Sequence, residues 1–118
     1  MHEWDSVLLA RSSIVVASRA AGKQKPIDGV TVELDTPDRL KEDTIRAYRL
    51  GFGAKFCIHP DQIDVVAAAF GPDDGTLQWA KEVVDAYESA GVGAVRVRSQ
   101  LVDRPVVERA RRVLRMAQ

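Results

Sequence analysis

The sequence is 118 residues long, enough for one domain and less than half of the about 250 residues that a complete eight-stranded β/α barrel takes. Hydrophobic residues make up 46% and charged residues 29%, a globular composition rather than a disordered or fibrous one. Seventeen basic and seventeen acidic side chains cancel, so no whole-protein field draws in nucleic acid or an anionic membrane.

Uncharged apolar runs such as Ser12 to Ser18 fall far short of the about 20 residues a membrane span needs. The opening shows no charged leader with an apolar stretch and a small-residue cleavage site, so the expected location is cytoplasmic. A single cysteine, Cys57, fits that reducing setting.

Trp4 to Ala21 carries Val7, Leu8, Leu9, Ile14, Val15 and Val16 among alanines, which predicts a largely buried helix stopped by Gly22. Ile27 to Leu34 is short and β-branched, a strand. Thr36 then suits an N-cap, Pro37 a first helical position and Asp38 the positive helix start, so a helix is expected to Leu50, ending at Gly51. Its buried set is expected to be Leu40, Ile45, Ala47 and Tyr48 or Leu50. Ala54 to Ile58 reads as a second strand, and Pro60 opens a helix that Gly71-Pro72 breaks. Thr76 to Ala90 forms a further helix with Leu77, Trp79, Ala80, Val83, Val84 and Tyr87 on its apolar side. Ala94 to Arg98 alternates as a surface strand, Ser99 to Arg104 is a loop, and Pro105 to Ala117 is an amphipathic helix with Val107, Ala110, Val113 and Leu114 on one face.

Two short strands joined by one helix make a parallel βαβ unit. Such a pair has two open edges and too little sheet to stand alone, so something else must complete it.

Several segments then carry a resemblance: Ala10-Arg11-Ser12, Ala17 to Gly22, Pro26-Ile27-Asp28-Gly29-Val30, Gly51-Phe52-Gly53-Ala54-Lys55, Ile58-His59-Pro60 with Gln62-Ile63, and Leu101-Val102-Asp103 with Pro105. In this order and spacing, over essentially the whole chain, they resemble the carboxy-terminal part of the citrate lyase β-subunit-like and malyl-CoA lyase family, within the HpcH/HpaI aldolase-like group. The resemblance implies an α/β fold, the C-terminal portion of a (β/α)8 TIM barrel. Residues 1–91 would hold its last βα units and 92–118 a C-terminal arm reaching a neighbouring subunit. It implies a Mg2+-dependent enzyme that cleaves or forms the carbon–carbon bond of a β-hydroxyacyl-CoA thioester. Its partners would be an acyl-CoA substrate and copies of itself, commonly as a trimer, or a complementing N-terminal half. On that mapping the two acidic metal ligands sit on barrel strands five and six, outside these residues, so no residue here is assigned to metal. The rival reading is a short non-catalytic protein that binds CoA or a partner chain through its incomplete sheet.

By resemblance Asp103 is the acid/base group for the α-carbon proton, since cleavage beside a thioester leaves an enolate; from spacing alone it caps the last helix. Ile58 and His59 lie against the thioester or pantetheine end by resemblance, while a histidine here also reads as an N-cap or a satisfied structural group. Glu33 and Asp35 end the first strand, where paired carboxylates hold a cation or orient a base; Asp35 and Asp38 also read as helix caps. Lys55 pairs with a nearby carboxylate or reaches a phosphate. Arg104, Arg109, Arg111, Arg112 and Arg115 form a basic face, either solvated or set against a CoA phosphate or an acidic partner; no aromatic platform interleaves it for nucleic acid.

Overall fold

The computed structural model of the chain describes residues 3–91 and 93–118. The fold is α/β and divides into two compact units, the first ending at Phe70 and the second running from Gly71 to Gln118.

The first unit contains α1 (Glu3–Ser6), α2 (Leu8–Ala20), β1 (Ile27–Asp28), α3 (Pro37–Leu50), β2 (Ala54–Lys55) and α4 (Asp61–Ala69). β1 and β2 pair in parallel, Ile27 opposite Ala54 and Asp28 opposite Lys55. The N–H of Gly53 donates to the Pro26 carbonyl at 2.9 Å on one side of the ladder, and that of Phe56 to the Asp28 carbonyl at 3.0 Å on the other. The βαβ unit is therefore present, but the strands expected over 27–34 and 54–58 contract to two residues each. Each has a single partner among the described residues, and past Asp28 the β-branched run leaves the ladder with Val30, Val32 and Leu34 exposed.

The opening helix also differs from expectation. It breaks at Val7, and α2 buries none of its residues; Leu9 is 81% and Val16 66% exposed. Apolar residues are spread around α2, whereas its contacts with α1 and α3 leave much of that surface uncovered. That contact passes over Gly51, which ends α3 in a left-handed turn (φ +113°). A Cβ at Gly51 would stand 2.8 Å from Cγ1 of Val15, so glycine serves both the backbone and the close approach.

α3 begins at Pro37 as expected, with Thr36 at the cap position but no side-chain cap bond. Its buried face is Leu40, Thr44 and Ala47; Ile45, Tyr48 and Leu50 are half-buried. Thr44, unforeseen in the core, is accommodated because its hydroxyl donates to the Leu40 carbonyl at 2.7 Å. The Tyr48 ring meets Phe70 edge to face, centroids 5.6 Å apart.

The second unit contains α5 (Asp74–Ala90), β3 (Ala94–Val97), β4 (Gln100–Asp103) and α6 (Arg104–Met116). Asp73 caps α5, its Oδ1 accepting from the N–H of Thr76 at 2.7 Å. The expected loop over 99–104 is instead a strand: β4 pairs antiparallel with β3 in register from Ala94–Asp103 to Val97–Gln100. Arg98 and Ser99 form the two-residue turn, both at positive φ (45° and 66°), the backbone that a tight hairpin of this twist requires. Ala80, Val83, Val102, Val107 and Ala110 form this unit's core, with Trp79, Tyr87, Val95 and Val113 packed around it. The Arg98 guanidinium grips Glu82 on α5 through Nε and Nη2 at 2.6 and 2.7 Å. Those bonds, with one from Gln78, hold the Glu82 carboxyl below its ordinary pKa, and Arg98 is raised in turn. Among the described residues no helix is long and apolar enough to cross a membrane.

Candidate functional site

Past the carboxyl ends of β1 and β2 the first unit opens into a concavity of about 370 Å³ whose lining includes Glu33, Asp35, Leu40, His59, Asp61 and Gln62. The carboxyl ends of parallel strands are where α/β proteins place their ligands. His59, Glu33 and Asp35, singled out separately in the sequence, therefore share one surface.

His59 starts the turn into α4. Its Nδ1 accepts the N–H of Asp61 at 3.1 Å, with Asp61 Oδ2 3.6 Å away. An Nδ1 that accepts leaves Nε2 as the proton-bearing nitrogen of the neutral ring. The cap position of α4 belongs to Pro60 rather than His59; the His59 ring makes this local hydrogen bond instead, and its side chain remains 45% exposed at the concavity. The Ile58 side chain is exposed; its N–H donates to Gln62 Oε1 at 2.9 Å. Asp35 and Asp38 do not hold the cap position of α3, which belongs to Thr36; Asp38 lies in its first turn.

Lys55 takes the structural one of its two readings. Its ammonium, 3% exposed, donates to Asp28 Oδ2 at 3.1 Å and to the Gly29 carbonyl at 2.8 Å. The other Asp28 oxygen receives Nη1 of Arg11, so one buried carboxylate lies between two cations. The Arg11 guanidinium also stacks over the Phe52 ring at 4.8 Å. Arg11, Asp28 and Lys55 all fall in the segments that carried the resemblance, but nothing in their spacing announced that they meet.

Asp103 lies in the second unit, at the end of β4 and the cap of α6. Its Oδ1 accepts from the N–H of Val106 at 3.4 Å, so the capping role is realised. On the basic face of α6, Arg109 stacks on Trp79 at 5.2 Å. Arg111 pairs with Glu108 at 2.9 Å and Glu88 at 3.3 Å, contacts that raise its pKa. Arg104, Arg112 and Arg115 are exposed. Among the described residues no three histidine, cysteine, aspartate or glutamate side chains converge to hold a metal ion.

Gln62 is the residue that sequence reasoning missed. It is 4% exposed, and its carboxamide joins both strand ends, accepting from Ile58 and donating to the Thr31 carbonyl at 2.9 Å. Its place in the Ile58–Ile63 segment was noted without a role, and its second partner lies 31 residues away.

No protein-family model matches the chain. Among curated proteins, it is 34% identical over 114 residues to mitochondrial citramalyl-CoA lyase of Mus musculus, across 94% of this chain and 33% of that protein. It is 37% identical over 114 residues to citrate lyase subunit β of Leuconostoc mesenteroides subsp. cremoris, across 94% and 37%. Among solved structures, it superposes with a TM-score of 0.78 and 37% identity on CitE of Mycobacterium tuberculosis in complex with magnesium, acetoacetate and coenzyme A, covering 91% of this chain and 39% of that one. The chain thus spans between a third and two fifths of the length of these relatives.

Proposed function

Since this chain is homologous along nearly all of its length to the citrate lyase β subunits and citramalyl-CoA lyases, we propose that it is the carboxy-terminal part of a CoA-ester lyase built on a TIM barrel. In this reading β1 and β2 are the last two barrel strands, residues up to 91 complete the barrel, and 92–118 form an arm that serves a neighbouring copy. The reaction is reversible cleavage of the carbon–carbon bond of a β-hydroxyacyl-CoA of the citryl, malyl or citramalyl type. The carrying observation is the match to proteins named for such lyases across 94% of the chain, joined by a solved relative that binds magnesium and coenzyme A.

Each of this chain's own residues has a part. Ile58 and His59 present the strand-end edge on which the thioester end of acyl-CoA rests, with the Nε2–H of His59 available to donate. Asp103, on the arm, returns a proton to the α-carbon of the enolate left by cleavage, and removes it in the condensing direction. Mg2+ belongs to the proposed enzyme, but the described residues gather no ligand set for it. On the resemblance its two acidic ligands belong to earlier barrel strands. A cytosolic setting is proposed on the single cysteine.

The test is the full-length protein bearing this chain, incubated with citramalyl-, malyl- and citryl-CoA and Mg2+, with products separated by chromatography. Release of a smaller acyl-CoA from one of the three is expected. Intact thioester in all three refutes the lyase reading. The rival, a short non-catalytic chain that binds CoA or a partner, draws on the two-residue ladder and the exposed Leu9, Val16 and Phe56. It requires a native species of this chain's own mass, whereas the lyase is between two and three times larger by the coverage of its relatives.

A further inference from the structure

The parallel ladder stops after two residue pairs, yet the strand ends do not drift apart. Carrying its register onward sets Thr31 opposite Ile58, the pair that Gln62 bridges: its Oε1 accepts the Ile58 N–H and its Nε2 donates to the Thr31 carbonyl, each at 2.9 Å. A side-chain amide thus stands between two strands where a direct backbone bond would otherwise close them. The amide is buried, so both of its bonds matter: an unmatched buried polar group is costly, and here donor and acceptor are both matched. Beyond the bridge stand the residues of the concavity, Glu33 and Asp35 on one side and His59 on the other.

We propose that Gln62 is a positioning residue that sets the width of this concavity, holding the Ile58–His59 edge at the separation an acyl-CoA thioester requires. This rests on the lyase reading for its ligand, but not for the bridge itself. The carboxamide suits the task because it carries an acceptor and a donor on one planar group at any ordinary pH. Glutamate in its place accepts from Ile58 but, when ionised, has nothing to give Thr31; its protonated form restores both bonds.

Two measurements on the full-length protein test the proposal: amide hydrogen exchange at Ile58, and steady-state kinetics of Gln62→Leu and Gln62→Glu with the acyl-CoA that the wild type cleaves. The bridge predicts faster Ile58 exchange in Gln62→Leu at neutral pH, where no acceptor remains, and a smaller rise in Gln62→Glu, which still accepts from Ile58 but no longer holds Thr31. The positioning role predicts a KM for acyl-CoA raised about tenfold, the scale of one lost buried hydrogen bond, with kcat changed less. It also predicts that Gln62→Glu alone recovers toward wild type as pH falls, measured as a ratio to wild type at each pH. Unchanged Ile58 exchange in Gln62→Leu overturns the bridge. Faster exchange with wild-type KM, or a Gln62→Glu ratio flat in pH, overturns the positioning role. A wild type that cleaves no thioester while its variants still show faster Ile58 exchange refutes the lyase reading and the ligand assigned here, and leaves the bridge standing. Should Gln62→Leu fail to fold, the pH-dependent exchange of Gln62→Glu decides the bridge by itself.

Discussion

The strongest stability prediction concerns Asp28, whose carboxylate is 3% exposed between Lys55, also 3% exposed, and Arg11, 19% exposed. Asp28→Asn preserves shape but removes the negative charge that lies against both cations. Its amide oxygen still accepts from one of them, while its NH2 group faces the other, donor against donor. Removing one partner from a buried ion cluster costs about 3–5 kcal/mol, because the remaining charge stays buried and uncompensated. Lys55→Met leaves Asp28 its Arg11 partner and fills the same space with an apolar stem, so its cost should be near that of one charge-assisted hydrogen bond, about 1.5–3 kcal/mol. Urea unfolding separates the two: at a slope of about 2 kcal/mol per molar, Asp28→Asn should lower the midpoint by about 2 M and Lys55→Met by about 1 M. The double variant should cost less than the sum of the two, because the second change removes a cation that the first left unpaired. An Asp28→Asn cost below about 1 kcal/mol, or equal costs for both single variants, would refute the idea that one carboxylate neutralises two buried cations.

Asp103 separates its two roles by substitution. Asp103→Ala should cost about 1 kcal/mol in thermal unfolding through loss of the α6 cap. Asp103→Asn should restore that stability but not turnover, with kcat of the full-length enzyme at least about a hundredfold down if the carboxyl moves a proton; wild-type turnover in either variant removes the proton-transfer role. Gly51→Ala meets both a left-handed backbone and the Val15 methyl, and should destabilise by about 1–3 kcal/mol in calorimetry. Glu82 carries a pH signature. Folding lowers its pKa, so the unfolded chain binds more protons, and the Arg98 contact stabilises above the ordinary glutamate range and is lost as pH falls through the lowered value. The protection of amides at the β3–β4 turn, taken relative to their intrinsic exchange rate at each pH, should therefore fall in acid, and Glu82→Gln should flatten that response.

What the sequence disclosed depended on how far apart the partners lie. α3 was legible at both ends because Pro37 and Gly51 act within one turn of backbone, and the capping role of Asp103 because Val106 is three residues on. The hairpin was hidden because Arg98-Ser99 carries none of the Asn-Gly or Asp-Gly chemistry that marks such a turn. β-branched residues announced two strands, but strand length is set by what lies alongside, and Val32 and Leu34 have no ladder partner among the described residues. The candidate site followed the same rule. His59 and Glu33 stood out by type at strand ends, whereas Gln62 and the Arg11–Asp28–Lys55 cluster depend on partners 17 to 31 residues apart.

The two units also differ in how quickly they can form. In the second, α5, β3, β4 and α6 follow one another in sequence and each packs on its neighbours, with the two strands joined by a two-residue turn. Such local topology collapses with little loop-closure cost. In the first, β1 meets β2 only after all of α3 has been made, and gains two residue pairs for closing that loop. The hazard of misassociation therefore falls on the first unit, which exposes Leu9, Val16 and Phe56 and whose two strands have one partner each among the described residues.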